Sequence, residues 1–350
     1  MQRSYAAFVD SCISENILEK IPDDPHIPIK NYLLDLIDDN DGIEKSIYLN
    51  DASGIIQEIW EEIIQKNWRK LNVRKFIPEN FRVTPSSFYA YKNSRKNISI
   101  STMYKLIKIW QEFCNKSEEE SIRKWDDIFN KELLLSTRSK CQKTSLPRYI
   151  DPKLSYLLGW ICGDGNLQES GNHYLVKISE KSREQLEIIL RPLFVDVFGV
   201  FPPIFLRYGN GYAIQIGSKS ILRFLQKVMK IKVGQIPKIV DDFDPVNKKY
   251  FLMGLFDAEG YVNTTYSDSA IIISQSSKFF LETVIELFRN INISFTGPQY
   301  HKTDLGIWYT IKIRKKLEIL KFIHEIGSCH VDKAKRLRIL RDIIEKNWNS

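Results

Sequence analysis

Two copies of one nine-residue pattern constrain the fold of this chain more than any other feature. Residues 157–165 read Leu-Leu-Gly-Trp-Ile-Cys-Gly-Asp-Gly, and residues 252–260 read Leu-Met-Gly-Leu-Phe-Asp-Ala-Glu-Gly. Each copy carries two small residues four positions apart, followed by an acid and a glycine. Small residues at that spacing share a helical face and let two helix backbones approach closely. The pattern therefore predicts two apolar helices that pack together and end in Asp164 and Glu259.

The residues at the ends of these helices predict a metal site. Gly165 and Gly260 follow the acids, and glycine at a helix end is typical of the left-handed backbone conformation. If the helices pack side by side, the Asp164 and Glu259 carboxylates emerge next to each other. Two carboxylates placed in this way are hard oxygen ligands for a divalent cation.

The chain downstream of each acid also repeats. Residues 212–225 resemble residues 309–322, and Lys219 and Lys316 fall in register, 55 and 57 residues after their acids. Strands are predicted near 173–179, 204–208 and 212–217, and again near 270–275, 298–302 and 307–313, with helices between and after them. The repeat predicts two related α+β units, residues 147–246 and 247–350.

The residues before the repeat form two helical regions of opposite charge. Residues 1–70 carry a net charge of −7 and residues 71–150 a net charge of +8. We divide this part into an acidic region, 1–70, and a basic region, 71–146, which faintly resembles a helix-turn-helix. Thr84 and Pro85 predict the start of its recognition helix. The predicted DNA contacts of this region are Ser86, Ser87, Lys92, Arg95 and Lys96.

Composition excludes several classes of protein. No run of about 18 apolar residues is present, which argues against a membrane-spanning helix. The five cysteines lie far apart without a Cys-x-x-Cys pair, which argues against a disulfide scaffold or zinc finger. We expect an intracellular monomer, in the cytoplasm or nucleoid, or in an organelle matrix if an organelle encodes it. Residues 71–350 carry a net charge of +15, which favours a polyanionic partner.

These motifs resemble the LAGLIDADG homing endonucleases in their single-chain, two-repeat form. The resemblance covers about residues 147–350 and includes the blocks Gln235–Ile239 and His330–Lys333. It implies tandem pseudo-twofold αββαββα repeats, whose antiparallel sheets form a saddle over double-stranded DNA, behind an all-α N-terminal region. Cys162 departs from the family pattern, in which an acid is common at that position.

The resemblance also implies roles for individual residues. Asp164 and Glu259 would hold Mg²⁺ or Mn²⁺, assisted by the backbone carbonyls of Gly163 and Ala258. Lys219 and Lys316 would flank the active site, and Gln275 matches a polar residue on the second strand. Repeat one has Glu180 and Lys181 in place of the usual glutamine. Hydrolysis of both DNA strands would follow without a general-base histidine.

The strands predict a surface that reads DNA. Alternation places Arg207 and Gln215 on one face in repeat one, and Lys312 and Arg314 on one face with Trp308 in repeat two. A two-stranded ribbon fits the major groove, where such side chains contact base edges. The predicted DNA contacts of the two repeats are Lys177, Lys181, Arg207, Gln215, Lys302, Lys312 and Arg314.

Two other functions fit the same sequence. An RNA splicing maturase shares this fold and would need a surface for structured or single-stranded RNA. A DNA-binding regulator would keep the fold without cleavage, although the presence of both acids and both lysines argues against it.

Overall fold

The structure is a computed structural model that describes residues 27–29, 36, 47–67, 71–130, 135–136, 143–171, 173–207, 211–265, 268–304 and 306–346. Much of the predicted acidic region 1–70 lies outside these residues. No helix in the described ranges combines the length and the apolar character that a membrane span requires.

The N-terminal part is a small helical assembly. Its helices are α1 (Ser53–Asn67), α2 (Val73–Phe81), α3 (Pro85–Lys92), α4 (Ile100–Phe113) and α5 (Glu118–Asn130). Thr84 caps α3 through a side-chain hydrogen bond, which confirms the predicted helix start, and Ser99 caps α4 in the same way. The predicted all-α region also contains short antiparallel strands. These are β1 (Ile27–Pro28), β2 (Tyr48–Leu49), β3 (Ile98–Ser99) and β4 (Leu135–Ser136). Strand β1 pairs with β5 (Tyr149–Ile150), which belongs to the start of the first repeat.

The first repeat is a four-stranded antiparallel sheet covered by helices. Helix α6 (Pro152–Asp164) leads into β6 (Gly165–Ser170) and β7 (His173–Glu180). Helix α7 covers 183–198 and includes a π-helical turn, Leu186–Leu190. It is followed by β8 (Ile204–Leu206), β9 (Tyr212–Gly217) and α8, which covers 219–228. The strand order is β6-β7-β9-β8.

The second repeat has the same architecture. Helix α9 (Pro245–Glu259) leads into β10 (Gly260–Asn263) and β11 (Ala270–Gln275), followed by α10 (Lys278–Asn290). Strands β12 (Thr296–Thr303) and β13 (Gly306–Ile313) precede α11 (Lys316–Glu325) and α12 (Val331–Lys346). The strand order β10-β11-β13-β12 matches that of the first sheet. The registers match as well, because Gly165 pairs with Ile178 and Gly260 pairs with Ile273. The predicted α+β fold of two related repeats is therefore confirmed.

Helices α6 and α9 pack against each other through their small residues, as the sequence predicts. A Cβ atom added to Gly159 would lie 2.1 Å from the carbonyl oxygen of Phe251. A Cβ atom added to Gly254 would lie 2.0 Å from the carbonyl oxygen of Tyr156. Real Cβ atoms do not approach backbone atoms so closely, so only glycine permits this contact. The close approach brings the C-terminal ends of the two helices together.

The glycines after the two acids have a different role from the one predicted. Gly165 has φ −71° and ψ 156°, and Gly260 has φ −85° and ψ 157°, so both are extended rather than left-handed. Strands β6 and β10 begin at these residues, directly after the helices. A Cβ atom added to Gly165 would lie 2.3 Å from the carbonyl oxygen of Ile161. A Cβ atom added to Gly260 would lie 2.1 Å from the ring of Phe256. Glycine is required here by close packing against the preceding helical turn.

Substitution of Gly159 by valine should strongly destabilise the protein. Its side chain would overlap backbone atoms of α9, which neither helix can move aside without separating the pair. We expect a loss of at least about 3 kcal/mol in the free energy of unfolding, measured by urea denaturation. Gly54→Ala in α1 is the matched control, because nothing lies within 4 Å of its added Cβ. The control should change stability by no more than about 1 kcal/mol. Equal stability of the two variants would contradict the close helix contact.

Candidate active site

Asp164 and Glu259 lie side by side at the ends of α6 and α9. A Cβ atom added to Gly163 would be 2.6 Å from the Cβ of Ala258 and 2.9 Å from the Cγ of Glu259. The last turn of one helix therefore contacts the last turn of the other. Each acid immediately precedes the edge strand of its own sheet, β6 or β10. The two carboxylates occupy the junction between the two repeats.

The surroundings of the two carboxylates oppose their ionisation. Burial, together with the nearby charge of Asp164, raises the pKa of Glu259 to about 7. Burial, together with the charge of Glu180, raises the pKa of Asp164 to about 6. The Asp164 side chain is exposed at the surface, although the protein around it removes part of its hydration. Water and ligands can therefore reach the Asp164 carboxylate, which is less hydrated than a carboxylate in open water.

Gln275 and Glu180 occupy equivalent positions beside the two acids. Gly260 pairs with Ile273 on β11, and Gln275 lies two residues after Ile273. Gly165 pairs with Ile178 on β7, and Glu180 lies two residues after Ile178. The Nε2 atom of Gln275 donates to Oε1 of Glu259 over 2.8 Å, which fixes that carboxylate. Glu180 instead lies 3.5 Å from Nε2 of His330 and accepts a hydrogen bond from the backbone N–H of Ser182. The site is therefore asymmetric, with an amide on one side and a third carboxylate on the other.

Lys333 is a component of the site that the sequence motifs did not identify. Its Nζ atom donates to the carbonyl oxygens of Asp257 at 2.6 Å and Phe256 at 3.1 Å. It also donates to the carbonyl oxygen of Ala258 at 3.2 Å. Its charge favours the ionised forms of both Asp164 and Glu259. The block 330–333 resembles the family in sequence, but nothing in its spacing shows that it folds back onto α9.

A buried network holds the segment that carries Lys333. The carboxylate of Asp257 accepts hydrogen bonds from Tyr156 Oη at 2.7 Å and from the backbone N–H groups of Cys329 at 2.8 Å and His330 at 3.0 Å. The ring of His330 stacks on Trp160 of the other repeat, with 6.3 Å between ring centres. These contacts fix the start of α12 against both motif helices. Cys162, the counterpart of Asp257 in repeat one, is fully buried.

The structure does not bring Lys219 and Lys316 to the acids. Lys219 begins α8, is only 1% exposed, and has its Nζ atom 5.1 Å from the centre of the Tyr174 ring. Tyr174 pairs with Glu169 at the end of the β6–β7 hairpin that is distant from Asp164. Lys316 begins α11, beyond the equivalent end of the second sheet. The prediction that they flank the active site is wrong, because their shared register reflects equivalent helix starts.

One face of each sheet carries polar side chains next to the acids. In the first sheet, Asn166 pairs with Lys177, which pairs with Gln215, so these three form a row across the strands. Arg207 is exposed and continues this face beyond β8. In the second sheet the equivalent row contains Lys312. The opposite faces are apolar and buried against the helices.

Other predicted DNA contacts differ in their placement. Lys302 pairs with Ile307 of β13, and side chains alternate between the two faces along this strand. Lys302 therefore lies on the face opposite Lys312, and the two lysines do not share one DNA-binding surface. Arg314 is on the expected side of the sheet but forms an ion pair of 3.0 Å with Asp268. Lys181 is exposed just beyond β7.

The donor atoms of the site fit a divalent cation that is completed by other ligands. Within the described residues, no cluster of three or more His, Cys, Asp or Glu side chains could hold a metal ion. The chain offers the two carboxylates of Asp164 and Glu259, whose repulsion a cation would relieve. Mg²⁺ is commonly bound by one or two carboxylates together with water and phosphate oxygens. Of the two carbonyls expected to assist, that of Ala258 accepts a hydrogen bond from Lys333.

The raised pKa of Glu259 predicts a pH-dependent stability of the metal-free protein. The native state keeps the proton up to a pH of about 7, whereas the unfolded chain loses it near the ordinary glutamate pKa of 4.5. The stabilisation from this group is therefore complete below pH 4.5 and is lost as the pH rises through about 7. A shift of this size corresponds to at most about 3 kcal/mol. Urea denaturation in EDTA should show the wild type losing stability relative to Glu259→Gln over this range, and parallel curves would contradict the shift.

Comparisons with known proteins identify the second repeat. Residues 247–327 match the family model of the LAGLIDADG-like domain. The chain is 24% identical over 260 residues to glutamine–fructose-6-phosphate aminotransferase (isomerizing) of Methanocaldococcus jannaschii, covering 71% of this chain and 23% of that protein. It is 23% identical over 288 residues to an uncharacterized protein of the same organism, covering 74% of this chain and 94% of that protein. The chain thus spans less than a quarter of the first relative and nearly all of the second.

Among solved structures, the chain is similar to that of the homing endonuclease I-DmoI in complex with DNA and manganese. It is 26% identical to this chain, covers 51% of this chain and 97% of its own length, and superposes with a TM-score of 0.40. The family match falls on the repeat that carries Glu259, and the first repeat has the same strand order and the same motif helix. Residues 247–327 are therefore similar to the LAGLIDADG-like domain, and the resemblance of this repeat to that family is confirmed.

Proposed function

We propose that this protein is a site-specific, divalent-metal-dependent endonuclease that cuts both strands of duplex DNA. The observation that carries the proposal is the pair of carboxylates, Asp164 and Glu259, held side by side at the ends of two packed helices. Each belongs to a different repeat, so each can serve a different strand. Divalent cations held there would stabilise charge on the attacking and leaving oxygens of a phosphodiester.

The residues around the acids support this chemistry. The hydrogen bond from Gln275 holds Glu259 in one orientation, so the carboxylate is positioned before substrate binds. Lys333 places a positive charge near both acids, which favours their ionised forms and offsets the cost of their mutual repulsion. The row of Asn166, Lys177 and Gln215 crosses strands β6, β7 and β9 beside Asp164. Such a polar row can donate to base edges and phosphates while the acids face the backbone.

A selection by cleavage tests the proposal. Purified protein is incubated with a randomised duplex library and Mg²⁺, and the new DNA ends are sequenced. We expect one preferred target cut on both strands, and no cleavage when EDTA replaces Mg²⁺. Binding of duplex DNA without cleavage in Mg²⁺ or Mn²⁺ would overturn the nuclease and leave the DNA-binding regulator. Preferential binding of intron RNA, with rescue of splicing, would favour the maturase.

A further inference from the structure

A segment of the N-terminal part is basic and free of acids. Residues 80–111 contain six Lys or Arg residues and no Asp or Glu. This stretch begins at the end of α2, includes all of α3 and reaches the last turn of α4. Such a run of one charge sign within a folded region produces a positive surface unless carboxylates from other elements cover it.

Helix α3 carries cations at both of its ends. Arg82 precedes it in a turn, where its φ of 54° places the backbone in the left-handed region. Beyond the helix, the backbone N–H groups of Arg95 and Lys96 both donate to the carbonyl oxygen of Ala90, at 2.8 and 3.1 Å. The loop therefore folds back over the last turn and keeps these two residues beside it. All three cationic side chains are exposed.

Helix α3 is anchored through one side and presents the other to solvent. Phe88 is fully buried, with its ring 4.7 Å from that of Trp60 and 5.1 Å from that of Phe81. Ser86 and Tyr89 are exposed, and Tyr89 keeps 41% of its surface accessible. The exposed side is thus a rigid helical face with a hydroxyl and an aromatic ring. We call Arg82, Ser86, Tyr89, Arg95 and Lys96 the α3 surface.

Carboxylates elsewhere in this part neutralise other lysines. Glu62 of α1 lies 3.1 Å from Lys116 and 3.4 Å from Lys66, and Glu58 pairs with Lys124. Arg123 of α5 likewise has a carboxylate neighbour, Glu119, at 3.8 Å. In contrast, no described carboxylate lies within ion-pairing distance of the three cations of the α3 surface. The acidic residues of α1 therefore leave the charge of the α3 surface available to a polyanion.

We propose that the α3 surface binds the major groove of duplex DNA outside the segment that the two sheets contact. Eight helical residues span about 12 Å, which matches the width of about 12 Å of the major groove. A helix lying across the groove would place Arg82 against one phosphate backbone, and Arg95 and Lys96 against the other. Ser86 and Tyr89 would face the base edges. The choice of DNA as the partner rests on the proposed function, whereas the positive charge of the surface does not.

The salt dependence of binding tests the surface in the full chain. Arg82→Gln, Arg95→Gln and Lys96→Gln are combined, and affinity for a long random-sequence duplex is measured in EDTA at several salt concentrations. Each lost phosphate contact should reduce the slope of log K against log salt by about 0.9, so the triple variant should lose up to about 2.7. Arg123→Gln, an exposed cation with a carboxylate neighbour, is the matched control and should leave the slope unchanged. An unchanged slope in the triple variant would overturn the proposal.

Two further readouts separate this proposal from the endonuclease. Because the binding assay contains EDTA, a wild type that never cuts DNA overturns the nuclease and leaves the α3 surface standing. On a selected target, the single N-terminal part should add protection on one side of the cut, and the triple variant should lose that protection. Protection that is symmetric, or unchanged in the variant, overturns the surface. Loss of affinity for a structured RNA but not for duplex DNA would also overturn it and make RNA the partner.

Discussion

Asp164→Asn and Glu259→Gln should each reduce cleavage by at least about a thousandfold, since each removes one of two charges that hold the divalent cation. The substitutions preserve the size and hydrogen-bonding capacity of the side chain, so the packed ends of α6 and α9 should remain intact. Affinity for the target duplex should stay the same or increase slightly, because a negative charge facing phosphates is removed. Single-turnover cleavage on a selected target, with binding measured in Ca²⁺ or EDTA, checks both expectations.

The matched control for the two acids is Glu184→Gln. Glu184 is an exposed carboxylate of α7, and its loss should change neither cleavage nor affinity. If either active-site variant cuts both strands at the wild-type rate, or if the wild type cuts in EDTA, the mechanism with two carboxylates is wrong. If a single variant still nicks one strand, the two repeats act independently, and the surviving strand shows which acid serves it.

The motif helices could be predicted from the sequence because their information is local and repeated. A small residue at 159 and at 254 has one physical use in an apolar helix, which is close contact with another helix. The positions of the two acids then follow from the helix geometry. Strands β6 and β10 escaped prediction because they begin directly at the glycines after the acids, where a helix end without a following strand explained the glycine equally well.

The surroundings of the acids could not be predicted in the same way. Lys219 and Lys316 share a register, but the register reports a repeated helix start and gives no distance to the site. Lys333 has no counterpart in the repeat pattern. At the end of α6, the backbone N–H of Gly234 instead donates to the carbonyl oxygen of Cys162. A contact made by one repeat only leaves no periodic signal in the sequence. Such contacts appear only when the chain is folded.

Lys333→Met should impair both stability and cleavage, with the larger effect on cleavage. The variant keeps the length of the side chain but leaves the carbonyl oxygens of Phe256, Asp257 and Ala258 without their shared donor. Loss of the partner of a buried hydrogen-bond acceptor typically costs about 1–3 kcal/mol in the free energy of unfolding. Lys335→Met on the same helix is the control, because Lys335 is exposed and should leave stability and cleavage unchanged.

The pH profile of cleavage separates an electrostatic role of Lys333 from a purely structural one. Its charge lowers the pKa of both Asp164 and Glu259, so its removal must raise both pKa values. A divalent cation binds the deprotonated carboxylates, and protons compete with it. At limiting Mg²⁺ the rise of cleavage with pH should therefore move to higher pH in Lys333→Met, with partial recovery at alkaline pH or at high metal concentration. A variant that is less stable but keeps the wild-type pH profile would show that Lys333 only holds α12 to the end of α9.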